Sequence, residues 1–129
     1  MSTESARLQT SISDSSGVSV IRIAGEVDIY TAPDFKSTLD EAIIAGARDL
    51  VVDMAEVTYM DSSGFGTLLS ATKRLKPEGG SISLAKCNDA IERMLRITRL
   101  DSIFGIFPQV DDAVKFAKTR MEQGKTASH

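Results

Sequence analysis

The sequence predicts an α/β fold: one domain with a mostly parallel or mixed sheet of four to five strands, about four helices and an N-terminal β-hairpin. Three observations lead there. The chain has 129 residues, 42% apolar and 26% charged, which is the size and balance of one ordinary globular domain. Short β-branched runs alternate with segments whose apolar residues recur at three and four, and strands separated by helices need parallel pairing. Ahead of that alternation, two strand-like runs flank the turn cluster Asp14-Ser15-Ser16-Gly17, a hairpin signal.

Taken in order, Leu8, Thr10 and Ile12 alternate with polar residues as the first strand, and Val18 to Ala24, rich in Val and Ile, is the second. Gly25-Glu26-Val27-Asp28 ends it. Thr31-Ala32-Pro33-Asp34 then opens a helix, with Thr31 as N-cap, Pro33 in the first turn and Asp34 at the acidic capping-box position. Phe35, Leu39, Ala42 and Ile43 form its buried stripe, and Gly46 ends it. Leu50-Val51-Val52-Asp53-Met54 reads as a strand buried on both faces.

A second helix carries its inward stripe from Phe65 through Leu68, Leu69, Thr72 and Leu75, and closes at Pro77-Glu78-Gly79-Gly80. Ser81 to Leu84 alternates as a strand, and Asn88 is the N-cap of a short helix with Ile91, Met94 and Leu95 inward. Ser102 to Phe107 is the last strand, stopped by Pro108. A helix from about Asp111 to Met121 buries Val110, Ala113, Val114, Ala117 and Met121, its acids at the start and Lys118 and Arg120 near the end. The core therefore spans about residues 8–121, and 122–129 is a polar, mobile tail.

Fifteen basic against 18 acidic residues give a net charge of -3 with no clustered basic face, which argues against nucleic acid as a partner. No apolar run approaches the roughly 20 residues of a membrane span, and Met1 to Thr10 lacks a signal-peptide core, so the expected location is the cytoplasm. The single histidine, His129, is terminal, which leaves no positioned base for a Ser-His or Cys-His pair and too few ligands for a His-based zinc site. The single cysteine, Cys87, reads as a small buried hydrophobe. No catalytic residue, metal ligand or cofactor is assigned.

The chemistry concentrates at Asp61-Ser62-Ser63-Gly64, between the third strand and the second helix. Either serine suits a helix N-cap. Capping leaves Gly64 and Gly66 in the first turn unexplained, since each costs up to about 1 kcal/mol against Ala inside a helix. Close approach of another group to the backbone is the expectation. No nucleophile elbow surrounds Ser62 or Ser63, and no phosphate-binding loop is present. Asp28, Asp53 and Asp61 as an acid cluster read better as strand-end turn and cap residues. A receiver-like phosphoacceptor domain has this size and alternation, but lacks here the paired acids after the first strand and the Lys-Pro after the last. A serine hydroxyl modified by another protein remains.

Gly25-Glu26-Val27-Asp28 with Thr31-Ala32, then Tyr59-Met60-Asp61-Ser62-Ser63-Gly64-Phe65-Gly66, then Gly79-Gly80 before a strand, resembles the anti-sigma factor antagonist family of STAS domains, from about Leu8 to about Lys118. The resemblance implies phosphorylation at Ser62 and partner contacts by Asp28, Asp61, Ser62, Ser63, Gly64, Gly66 and Ser70. It implies partners too: an anti-sigma factor that is an ATP-dependent serine kinase, and a PP2C-type phosphatase. The unphosphorylated form binds the anti-sigma factor and frees the sigma factor. STAS domains serving stressosomes or lipid-transport complexes are the alternative. Arg99 departs from the pattern, standing where a glycine is frequent.

Overall fold

The computed structural model describes residues 8–127. Five strands, β1 (Gln9–Ser15), β2 (Val18–Val27), β3 (Asp49–Met60), β4 (Ser81–Ala85) and β5 (Gly105–Phe107), form one sheet in the order β1-β2-β3-β4-β5. Four helices accompany them: α1 (Ala32–Ile44), α2 (Ser62–Leu75), α3 (Asp89–Ile97) and α4 (Val110–Ala127). The β1/β2 hairpin is antiparallel, and β2/β3, β3/β4 and β4/β5 are parallel. The mixed sheet predicted from the alternation is thus present.

Sequential strand order has a consequence for the layers. Parallel crossovers are right-handed, so when each strand is added on the same side, every crossover helix lands on the same face. Phe35 and Leu39 of α1, Phe65, Leu68 and Leu75 of α2, and Ile91 and Leu95 of α3 accordingly share one core with Ile21, Ile23, Leu50, Val52, Ile82 and Leu84. The helix α4 is not a crossover and is free to cover the opposite face, where Ala113, Val114 and Ala117 pack on Val18, Val51 and Ala85. The period of two along β3 delivers Leu50, Val52 and Met54 to the first core and Val51 to the second.

Several element ends differ from the sequence reading. The third strand continues to Met60 rather than stopping at Met54: beyond Asp53 it outruns β4 and pairs with β2 alone, through register shifts, so Ala55, Glu56, Thr58 and Tyr59 are exposed and the polar stretch hides the strand from composition. The last strand is only Gly105–Phe107, because Leu100–Ser102 form a 3-10 turn and Phe104 turns into the core. Met94, expected inward, is 42% exposed. The last helix runs past Met121 to Ala127, while Ser128 and His129 lie outside the described residues.

Two predicted caps hold. Asn88 Oδ1 accepts the Ile91 N–H at 2.8 Å. Gly46 takes φ 105° just past α1, its N–H donating to the Ile43 carbonyl and that of Ala47 to the Ala42 carbonyl, the closing pattern that favours glycine. Arg99 sits at φ 65°, a left-handed conformation natural for glycine and costly for a residue with a Cβ, which gives a physical basis to its departure from the motif.

The buried Asp49 carboxylate ties the layers together at the far end of the sheet. It accepts from the Ser81 hydroxyl at 2.8 Å and pairs with Arg120 of α4, which also donates to the Gly79 carbonyl at 3.1 Å.

Candidate functional site

At the carboxyl ends of β2 and β3 the chain makes two adjacent turns. Asp61 N–H donates to the Val27 carbonyl at 3.1 Å, so the turn after β3 is bonded to the end of β2 and stands beside Asp28. Asp28 Oδ1 accepts the N–H groups of Tyr30 (2.9 Å) and Thr31 (3.1 Å), closing an Asx turn. Thr31 is then occupied differently from the predicted cap: its hydroxyl donates to the Glu26 carbonyl at 2.7 Å and accepts the Asp28 N–H at 2.9 Å, and its side chain caps no N–H of α1. Asp28 is a brace of this edge.

The cap of α2 is also reassigned. It is Asp61, extended at φ -105°, whose Oδ1 accepts the Ser63 N–H at 2.9 Å. Neither serine caps the helix, because the helix begins one residue after the aspartate rather than at Phe65. Ser63 is half-buried and its carbonyl accepts the Thr67 hydroxyl at 2.8 Å. Ser62, the first residue of the helix, is exposed. Its hydroxyl makes no hydrogen bond within the described residues.

The two glycines divide the roles expected of them together. A Cβ on Gly64 would lie 2.5 Å from Met60 Cγ and 2.8 Å from Val27 Cγ1, so this glycine lets the first turn of α2 seat on the ends of β2 and β3. A Cβ on Gly66 would meet nothing within 4 Å. The close approach comes from the protein's own core at Gly64, and Gly66 leaves an open face.

That face is a ridge with a groove on each side, and Ser62 and Gly66 line both. Toward α1 the groove holds about 370 Å³, with the charged and polar side chains of Lys36, Asp40, Ser63, Thr67, Ser70 and Arg74 around Leu39 and Ala71. Toward α3 it holds about 500 Å³ and is apolar, floored by Met60, Phe65, Leu69, Met94 and Leu100, with Tyr59 at its rim. In the groove toward α1 Asp40 carries two cations, Lys36 at 2.8 Å and Arg74. The Lys36 hydrogen bond, helped by Arg74 and opposed by desolvation, holds the Asp40 carboxyl below its ordinary range.

Asp28, Asp61, Ser62, Ser63 and Gly64 thus stand at one end of the sheet, with Gly64 buried and the Asp28 side chain turned to its own loop, while Gly66 and Ser70 lie farther along α2 on the groove toward α1. Asp53 stays apart, accepting the Ala55 N–H at 3.0 Å, and among the described residues no three acids, cysteines or histidines gather as metal ligands. Sequence reasoning missed the apolar residues of this edge: Ile29 is 67% and Tyr30 83% exposed in the β2–α1 turn. Their signal is an Ile-Tyr pair inside a turn that Asp28 and Thr31 already close. Lys36, Asp40 and Arg74 were also missed: the four-residue spacing of Lys36 and Asp40 was legible as a helix-surface pair, but the arrival of Arg74 depends on how α1 packs on α2.

Cys87 is half-buried against the main core, and burial, reinforced by the Glu92 charge, pushes its thiol up to about 12. It carries no nucleophile at neutral pH. No helix among the described residues is long and apolar enough to cross a membrane.

Comparison with known proteins places this arrangement. The STAS domain family model matches residues 9–113. The anti-sigma-B factor antagonist of Bacillus subtilis is 35% identical over 95 residues, covering 74% of this chain and 86% of the relative. That of Listeria monocytogenes is 37% identical over 86 residues, covering 67% and 75%. Among solved structures, an anti-sigma factor antagonist from Mycobacterium paratuberculosis superposes with a TM-score of 0.79 at 29% identity, covering 86% of this chain and 94% of that one. The unphosphorylated anti-sigma factor antagonist SpoIIAA, with a TM-score of 0.65 at 18% identity, shares the fold. With five strands in sequential order, a family match over residues 9–113 and relatives of this name, the chain belongs to the STAS domain family of anti-sigma factor antagonists.

Proposed function

We propose that this protein is a non-enzymatic, cytoplasmic switch: unphosphorylated, it binds an anti-sigma factor and frees a sigma factor; phosphorylated on Ser62 by that anti-sigma factor, it lets go; a PP2C-type phosphatase resets it. The observation that carries this reading is the exposed Ser62 hydroxyl, without a hydrogen bond among the described residues, on an open ridge directly after the Asp61 cap of α2. The strand order never reverses, so no crevice opens between diverging halves of the sheet where a small molecule would sit. A ridge between two grooves suits a protein surface better, and Ile29, Tyr30 and Tyr59 supply exposed apolar anchors near it.

Phosphate adds about -1.5 to -2 charges to an edge that already carries Asp61. At an effective dielectric of about 20, that charge and an acidic group of the partner about 5 Å away repel by roughly 3 kcal/mol. Within an interface that is more than a hundredfold in affinity before screening. Accordingly, Ser62→Ala should bind the anti-sigma factor with or without ATP, and Ser62→Asp should bind weakly. Calorimetric titration against the partner, with mass-spectrometric mapping of the phosphate, tests this. Phosphate on Ser63 instead, or equal affinity of wild type and Ser62→Asp, would overturn it.

A further inference from the structure

Building on the reading that Ser62 is phosphorylated, we propose that Lys36 is the cation that receives the phosphate, leaving Asp40 to Arg74 and closing the groove between α1 and the α2 ridge. Lys36 and Ser62 line the same groove. The starting state makes the exchange cheap, because Asp40 has two cationic partners and keeps Arg74 when Lys36 departs. The Lys36 side chain is 64% exposed, and an exposed pair four residues apart on a helix is a weak tether. A phosphate dianion is a stronger acceptor than a carboxylate already shared.

Position selects Lys36 over Arg74. The helices α1 and α2 both return from parallel strands, so they run in the same sense, and Ser62 opens α2 while Lys36 lies in the second turn of α1. Arg74 is twelve residues along α2 from Ser62, about 18 Å at the helical rise, beyond reach of a phosphate at the helix start. Lys36 Nζ now turns C-terminally to Asp40, but the Cα–Cβ bonds of a helix lean toward its N-terminus, so a rotamer change carries the Lys36 ammonium toward the Ser62 end of the groove. The charged groups around the phosphate would be Asp61 at the cap, Asp28 at the neighbouring turn, and Lys36, Asp40 and Arg74 along the groove.

The test uses the full chain with phosphoserine installed at position 62 by genetic code expansion, so it runs whether or not a kinase modifies that residue. The phosphate is titrated by phosphorus NMR in the native background, in Lys36→Gln and in Arg74→Gln, and the Lys36 Nζ and Cε signals are followed alongside. The second ionisation of phosphoserine lies near about 6. The expected result is a downward shift of about half a unit or more that disappears in Lys36→Gln and survives in Arg74→Gln, with the Lys36 signals moving at the same midpoint. Equal titration with Lys36 and with Gln at 36, equal effects of the two variants, or Lys36 signals that ignore the phosphate would each overturn the proposal. Failure of the natural kinase to label Ser62 would instead overturn the switch reading and leave this measurement standing.

Discussion

Asp61 does two jobs with one side chain and one amide. Its carboxylate caps α2 through the Ser63 N–H, and its own N–H bonds the Val27 carbonyl, so the serine that follows is held at a fixed place on the sheet's edge. Replacement by Ala removes the cap and should lower stability by about 0.5 to 2 kcal/mol, whereas Ser63→Ala, which touches no cap, should stay within about 0.5 kcal/mol; denaturant midpoints at constant slope check both. Cys87 gives a second expectation at this scale. With its thiol raised from an ordinary value near 9 to about 12, the folded state holds its proton longer than the unfolded chain does. Stability from this group is therefore fully present below pH 9 and is lost as pH rises toward 12. Cys87→Ala should flatten that alkaline decline, and iodoacetamide should modify the folded wild type at neutral pH at least about a hundredfold more slowly than the unfolded chain.

At the scale of elements, the crossover helices are held by apolar stripes, but α4 also depends on one polar anchor. Asp49 is 3% exposed and its charge is met by Arg120, with Ser81 as a further donor. Removing the arginine would strand a buried carboxylate, a change that costs more than the pair itself contributes. Arg120→Ala should lower the unfolding free energy by about 2 to 3 kcal/mol, and the double variant with Asp49→Asn should recover part of it. Hydrogen exchange in α4 should rise first, since its other tie is the smaller core of Val18, Val51, Ala85, Ala113, Val114 and Ala117.

For the molecule as a whole, the layers put the packing on two faces of the sheet and leave one end, with Ser62 and Gly66 on the ridge of α2, open to a partner. Small residues there allow close approach without affecting the core. Gly66→Leu should leave the thermal melt within about 2 °C, while weakening anti-sigma factor binding by more than about tenfold, as read by calorimetric titration against the same partner. Gly64→Ala should do the reverse, because its Cβ would meet Met60 and Val27.

The sequence by itself determined the alternation of elements, the hairpin, the stripes of α1, α2 and α4, and the caps at Asn88 and Gly46, because each is written in the spacing of a few neighbouring residues. It also marked Asp28 and Asp61-Ser62-Ser63-Gly64 as the distinctive strand ends. Only the tertiary structure decided the rest. That Asp61 and not a serine caps α2 depends on where β3 stops, and β3 runs six residues past its apolar stretch because β2 remains beside it as partner. Met94 is left half-exposed along the apolar groove because α3 turns only Ile91 and Leu95 into the main core. Which glycine serves packing and which leaves a surface, and that Arg74 of α2 reaches the Lys36–Asp40 pair of α1, are set by the approach of one element to another, and no local pattern carries that distance.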